Sequence, residues 1–227
     1  MGSFTTILPL VFFFIFKRNS DEKTLKVIFY YILYCILNEL VGFILHLLGI
    51  DLSNFIYFLF NIAEFTFFVF FYYYALPTKL VRKGMPILLF AFLIAAILSF
   101  FVITKRNEFD SLTMGVETIV IIILCIYYLF IQIGKSYNFS IYFTFNFWVI
   151  ISFLIYLAGT FFLYIMVQNM QANKHFQILY IIINSAFNIL KNILLSVAML
   201  MKPASDSSKN QLNKPDLDNL FSFQLKN

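Results

Sequence analysis

Seven nearly continuous apolar runs, parted by short polar breaks, organise the chain. They are Phe4 to Phe16, Leu25 to Ile50, Asn54 to Leu76, Pro86 to Ile103, Leu112 to Ile133, Phe145 to Val167 and Phe176 to Met201. A helix needs about 20 apolar residues to cross the hydrocarbon core. The first run is short for that and carries Pro9. It has no basic leader and no small-residue cleavage site, so it does not read as a removed signal peptide. A six-span arrangement with a buried N-terminal hairpin therefore stays open beside the seven-span one. Pro77 and Pro203 close the third and seventh runs, and Pro86 is placed at the first turn of the fourth. The pattern predicts an all-α, polytopic membrane bundle of seven transmembrane helices over residues 1–202. A polar tail, 203–227, follows and is expected to be cytoplasmic and largely disordered. Within it Leu217, Leu220, Phe221 and Leu225 have the spacing of one short amphipathic helical face.

Composition agrees with this reading. The chain is 62% hydrophobic and 12% charged, about half the charged fraction of a soluble domain. The net charge of +5 does not point to nucleic acid, because the basic residues sit in short breaks between runs. Their distribution orients the chain. Lys17, Arg18, Lys23, Lys26, Lys79, Arg82, Lys83, Lys135, Lys202, Lys209, Lys214 and Lys226 fall on one side, and Lys105, Arg106 and Lys174 on the other. The expected arrangement is N-terminus outside and C-terminus cytoplasmic, in a multi-pass protein of a bacterial inner membrane. Cys35 and Cys125 both lie inside runs and do not form a disulfide framework. Tyr72, Tyr73 and Tyr74 read as an inner interfacial belt.

The seventh run is the unusual one. It carries Asn184, Asn188, Lys191 and Asn192, spaced to share one helical face. Lys191 is about 16 Å of helix from Lys202, too deep for its stem to snorkel out. An ammonium there costs at least about 2.5–3.5 kcal/mol unless something meets it. Carboxylates are available at Glu39, Glu64 and Glu117. In the second run Cys35, Glu39, Gly42, His46 and Gly49 form a small and polar seam, whose glycines would admit a neighbouring helix. Asn54, Tyr57, Asn61 and Glu64 do the same in the third run, and Ser152, Tyr156 and Gly159 in the sixth. Glu117 lies near the outer end of its run and is expected to be wet. Helical side chains lean toward the N-terminus of their helix, so Glu39 and Lys191, on antiparallel runs, lean toward each other. The expected site is a Glu39–Lys191 pair, with Asn38, Asn61, Asn184 and Asn188 completing hydrogen bonds and Glu64 and Tyr156 also in the polar core. Such groups also serve merely as glue between helices, at about 1 kcal/mol per hydrogen bond. His46 reads as an interfacial hydrogen-bonder.

Several chemistries find no support. Only His46 and His175 are present, no Asp lies in a run, and HExxH, GxSxG and glycine-rich phosphate loops are absent. No catalytic residue, metal or cofactor is expected, and the chain does not read as an enzyme. A retinal protein would want Lys191 and a carboxylate such as Glu64, but Phe187 stands where an Asp or Ser is normal four residues before the lysine. Trp148, the single tryptophan, also lies away from where a retinal pocket would be.

Phe147-Trp148, Leu154 to Phe162, Asn184, Asn188-Ile189-Leu190, Asn192, Glu39 and the Glu64 region together resemble a group of small bacterial seven-span proteins. The resemblance is diffuse and runs through most of residues 1–201. It implies seven helices with a cytoplasmic C-terminus and transfers no catalytic residue. The function expected from the whole is a non-enzymatic sensory or partner-coupling module, receptor-like, with a buried polar pocket. The alternative is a small transporter or proton-coupled carrier built on the same midplane residues. Its surroundings are the lipid bilayer and an unidentified membrane or cytoplasmic protein partner.

Overall fold

The computed structural model describes residues 4–17, 21–49, 53–103, 110–135, 141–170 and 174–201. The expectations about the tail, its amphipathic face included, lie outside these residues. The seven apolar runs become seven helices: α1 (Ile7–Phe16), α2 (Lys23–Leu47), α3 (Ser53–Ala75), α4 (Lys79–Leu98), α5 (Ser111–Lys135), α6 (Phe145–Met170) and α7 (Lys174–Leu200). Six of them, α2 to α7, are long and apolar enough to cross a membrane, which makes the chain a multi-pass membrane protein. A 3-10 turn, Phe4–Thr6, leads into α1. That helix has only 10 residues, about 15 Å, or half the thickness of the hydrocarbon core.

Packing partners run in a cycle. α2 packs on α3, α3 on α5, α5 on α6, α6 on α7, and α1 sits between α7 and α2, while α4 lies against α3. Aromatic rings join these layers. Phe65 of α3 stacks on Phe92 of α4 at 3.8 Å, Phe58 on Phe100 at 4.2 Å, and Phe13 of α1 on Phe29 of α2 at 4.4 Å.

Two expectations about α4 change. It begins at Lys79, and Pro86 lies inside it rather than in its first turn. The segment expected as a loop over 77–85 is thus mostly helix. Arg82 supports this extension: its guanidinium donates to the Leu76 carbonyl at 3.2 Å and lies over the Tyr73 ring. Beyond Leu98 the chain continues as a π-helical turn, Ser99–Ile103, where the Ser99 hydroxyl donates to Asp110 at 2.8 Å.

The tyrosine belt also divides. Tyr72 is buried and donates to Cys125 Sγ at 3.0 Å, while Tyr74 is exposed and carries Lys23 over its ring. Both cysteines are free and buried. The glycines of α2 do not admit a helix. A Cβ at Gly42 would meet nothing within 4 Å, and Gly49 has φ +69. Gly49 instead ends α2 in the left-handed conformation that glycine adopts without strain. The close approach is at Gly159 of α6, where an added Cβ would collide with the Phe187 ring of α7.

At the start of α2, Lys26 pairs with Asp21 at 2.9 Å. The Lys26 hydrogen bond holds the Asp21 carboxyl below the usual carboxylate range. Both side chains are exposed, and exposed pairs contribute little. Asp21→Asn is expected to leave the unfolding temperature of the detergent-solubilised protein unchanged.

Candidate functional site: a buried lysine shared through a tyrosine

Lys191 lies nine residues before the end of α7, about 14 Å of helix, and only 5% of it is exposed. Its ammonium donates to the Tyr31 hydroxyl of α2 at 3.2 Å. That hydroxyl donates in turn to Glu64 Oε1 of α3 at 2.8 Å. One phenol oxygen therefore joins a cation on α7 to a carboxyl group on α3. The Lys191 amine also lies over the ring of Tyr156 on α6, 4.3 Å from its centroid, and 5.7 Å from that of Tyr31. A desolvated cation–π contact of this kind is worth about 2 kcal/mol. Tyr31 is held by rings as well, with Phe153 of α6 edge-on at 5.4 Å and Phe67 and Phe68 of α3 at 6.0 Å.

The expected Glu39–Lys191 ion pair is not formed: no Glu39 oxygen lies within 4 Å of the Lys191 amine. Glu39 accepts instead from the Thr6 hydroxyl at 3.0 Å. Asn192 donates to Thr5 at 3.0 Å and to Thr6 at 3.4 Å. Glu39 is thus linked to α7 through the N-terminal end of α1. The physical reason is the wedge. At this level the Phe4–Thr6 turn that leads into α1 stands between α2 and α7, and Thr5 and Thr6 take the position that a direct pair would need. Tyr31 lies eight residues before Glu39 on α2, on the same face, and its longer side chain reaches the lysine.

The other expected residues divide between these groups and the surface. Asn184 accepts a long hydrogen bond, 3.5 Å, from Tyr164, whose hydroxyl is 2.9 Å from that of Tyr156. Asn188 is half-buried on α7 and Asn38 half-buried on α2. Asn61 is buried, and its Oδ1 has no hydrogen-bond donor. His46 is exposed. Glu117, expected to be wet, is 3% exposed, and its Oε1 also lacks a donor.

Six participants lie outside the expected site: Tyr31, Thr5, Thr6, Tyr164, Asn192 and Glu117. Tyr31 was legible, since it continues the Cys35–Glu39 seam one turn toward Lys23. Thr6 was not, because its partners are more than 30 and 180 residues away.

The arrangement can hold charge and relay a hydrogen-bond change among α2, α3, α6 and α7. Among the described residues no three His, Cys, Asp or Glu side chains gather as a metal site. No family model, curated protein or solved structure matches the chain.

Proposed function

We propose that the chain is a non-enzymatic sensory or partner-coupling module of a bacterial inner membrane, acting through the Lys191–Tyr31–Glu64 node. In this reading α1 completes a seven-helix bundle with the N-terminus outside and the C-terminus cytoplasmic. One observation carries it: a single buried hydroxyl is shared by groups from three spans. Displacing any one of those helices changes the hydrogen bonding of the other two. Charges kept at this depth are a costly form of glue, which favours a working role. The short breaks between helices leave the polar interior and the helix faces as the surfaces on which a signal arrives. The bilayer and a protein partner are the surroundings that fit.

The second reading, a small proton-coupled carrier, is favoured by the donor-less oxygens of Asn61 and Glu117. Transport in liposomes separates the two. The purified protein, reconstituted with a pH dye inside and an imposed pH gradient, is expected to add no flux over empty liposomes. Gradient-driven flux that Glu64→Gln or Glu39→Gln abolishes would replace the sensory reading with the carrier.

A further inference from the structure

Between α3 and α5 runs a polar seam that shares Glu64 with the Lys191 node and is otherwise separate from it. On α3 it consists of Asn54, Tyr57, Phe58, Asn61 and Glu64, spaced by threes and fours. On α5 it consists of Met114 and Glu117, with Asp110 just before the helix. Both stripes start at the same end of the bundle and converge inward. At that end Asn54, Tyr57, Phe58, Asn61, Asp110 and Met114 line a small cleft with room for about one water molecule. Asn61 lies in its wall, 3% exposed, with an oxygen that nothing donates to. Glu117, one turn inward of Met114, has a second such oxygen.

The chemistry of this seam is one-sided. Its two donor-less atoms are both acceptors, an amide oxygen and a carboxyl oxygen, and Lys191 already donates to Tyr31. A buried oxygen left without a donor is expensive in these surroundings. Only a donor or a positive charge settles these oxygens, and the cleft admits only something small.

We propose that the α3–α5 seam is a site for one small monovalent cation, a hydrated proton or sodium. It enters past Asn54 and Asp110 and is held between Asn61 Oδ1 and Glu117 Oε1. The groups facing Glu117 are Glu64 from α3 and Tyr164 from α6, with Asp110 at the mouth on its own side. Tyr31 and Lys191 stand behind Glu64. The inference does not rest on the sensory reading, because a sensor and a carrier could both use such an occupant.

The test measures the unfolding temperature of the full chain in detergent at constant ionic strength, exchanging N-methylglucamine for sodium, at several pH values. Binding to the folded state raises that temperature with the logarithm of ligand concentration above saturation. A rise with sodium at fixed pH, lost in Glu117→Gln, identifies sodium. A rise on acidification alone, lost in the same variant, identifies the proton. Asp21→Asn, remote from the seam, is expected to keep the response. Should Glu117→Gln fail to fold, Asn61→Leu removes the amide oxygen without touching an ionisable group and is read in the same way. A wild type that responds to neither ion, or a response that both seam variants retain, overturns the proposal. Either result leaves the liposome test of the Lys191 node standing.

Discussion

Lys191→Met is expected to lower the unfolding free energy by about 3–5 kcal/mol, the usual cost of removing one partner from a buried ionic set. The substitution keeps the apolar stem and deletes only the ammonium. Tyr31 then loses the donor on one side, and Glu64, 6% exposed, is left with a neutral phenol as its partner. Hydrogen bonds to charged groups are worth about 1.5–3 kcal/mol each, so the Lys191–Tyr31 bond alone accounts for a large part of the loss. Glu64→Gln in the same background removes the stranded charge while keeping an oxygen for Tyr31 to donate to. The double variant is therefore expected to be more stable than Lys191→Met alone. A double-mutant cycle by unfolding in mixed detergent should give a coupling of at least about 1 kcal/mol. Strict additivity would mean that the two charges do not sense each other through Tyr31. The exposed Asp21–Lys26 pair has a shorter distance, 2.9 Å, yet a far smaller expected effect. Solvent screens that pair and cannot screen the buried one.

Gly159→Leu is expected to cost about 1–3 kcal/mol by overpacking, and to disturb the site from a distance. Phe187 lies against Gly159 so closely that even a methyl group collides with its ring. The two residues sit among the polar positions of their helices. Tyr156 and Tyr164 flank Gly159 on α6, and Asn184 and Lys191 flank Phe187 on α7. Parting these helices lengthens the 4.3 Å contact between the Lys191 amine and the Tyr156 ring, along with the already long Tyr164–Asn184 bond. Phe187→Ala opens space on the other side of the same contact. Added to Gly159→Leu, it is expected to recover part of the loss, as judged by unfolding temperature in detergent. A double variant no better than the single one would place the strain elsewhere.

How far the site could be read in advance is best seen on α2 and α5. Polar residues at helical spacing marked Asn61, Glu64 and Lys191, all three buried, whereas His46 at the far end of the α2 seam is exposed. The choice of a partner for Lys191 went astray because side-chain lean and depth treat every pair of helices as adjacent. α2 and α7 are separated at Glu39 by the Phe4–Thr6 turn at the head of the short α1. No periodicity reveals such a wedge. Nearness to a helix end places Glu117 in water, yet only 3% of it is exposed. Gly42 and Gly159 were equivalent as small residues in polar seams, and only one of them has a helix against it.

The apolar runs, taken alone, determined that the chain is helical, that six of its segments can cross a bilayer, and that a lysine is carried deep into one of them. Those follow from local facts: run length against membrane thickness, and spacing against the 3.6-residue turn. Tertiary structure decided which helix stands next to which, and hence that Tyr31 links the lysine to Glu64 while Thr6 takes Glu39. Neighbour choice in a bundle depends on the fit of whole surfaces from distant parts of the chain, because apolar faces gain nothing from leaving lipid for one another beyond that fit.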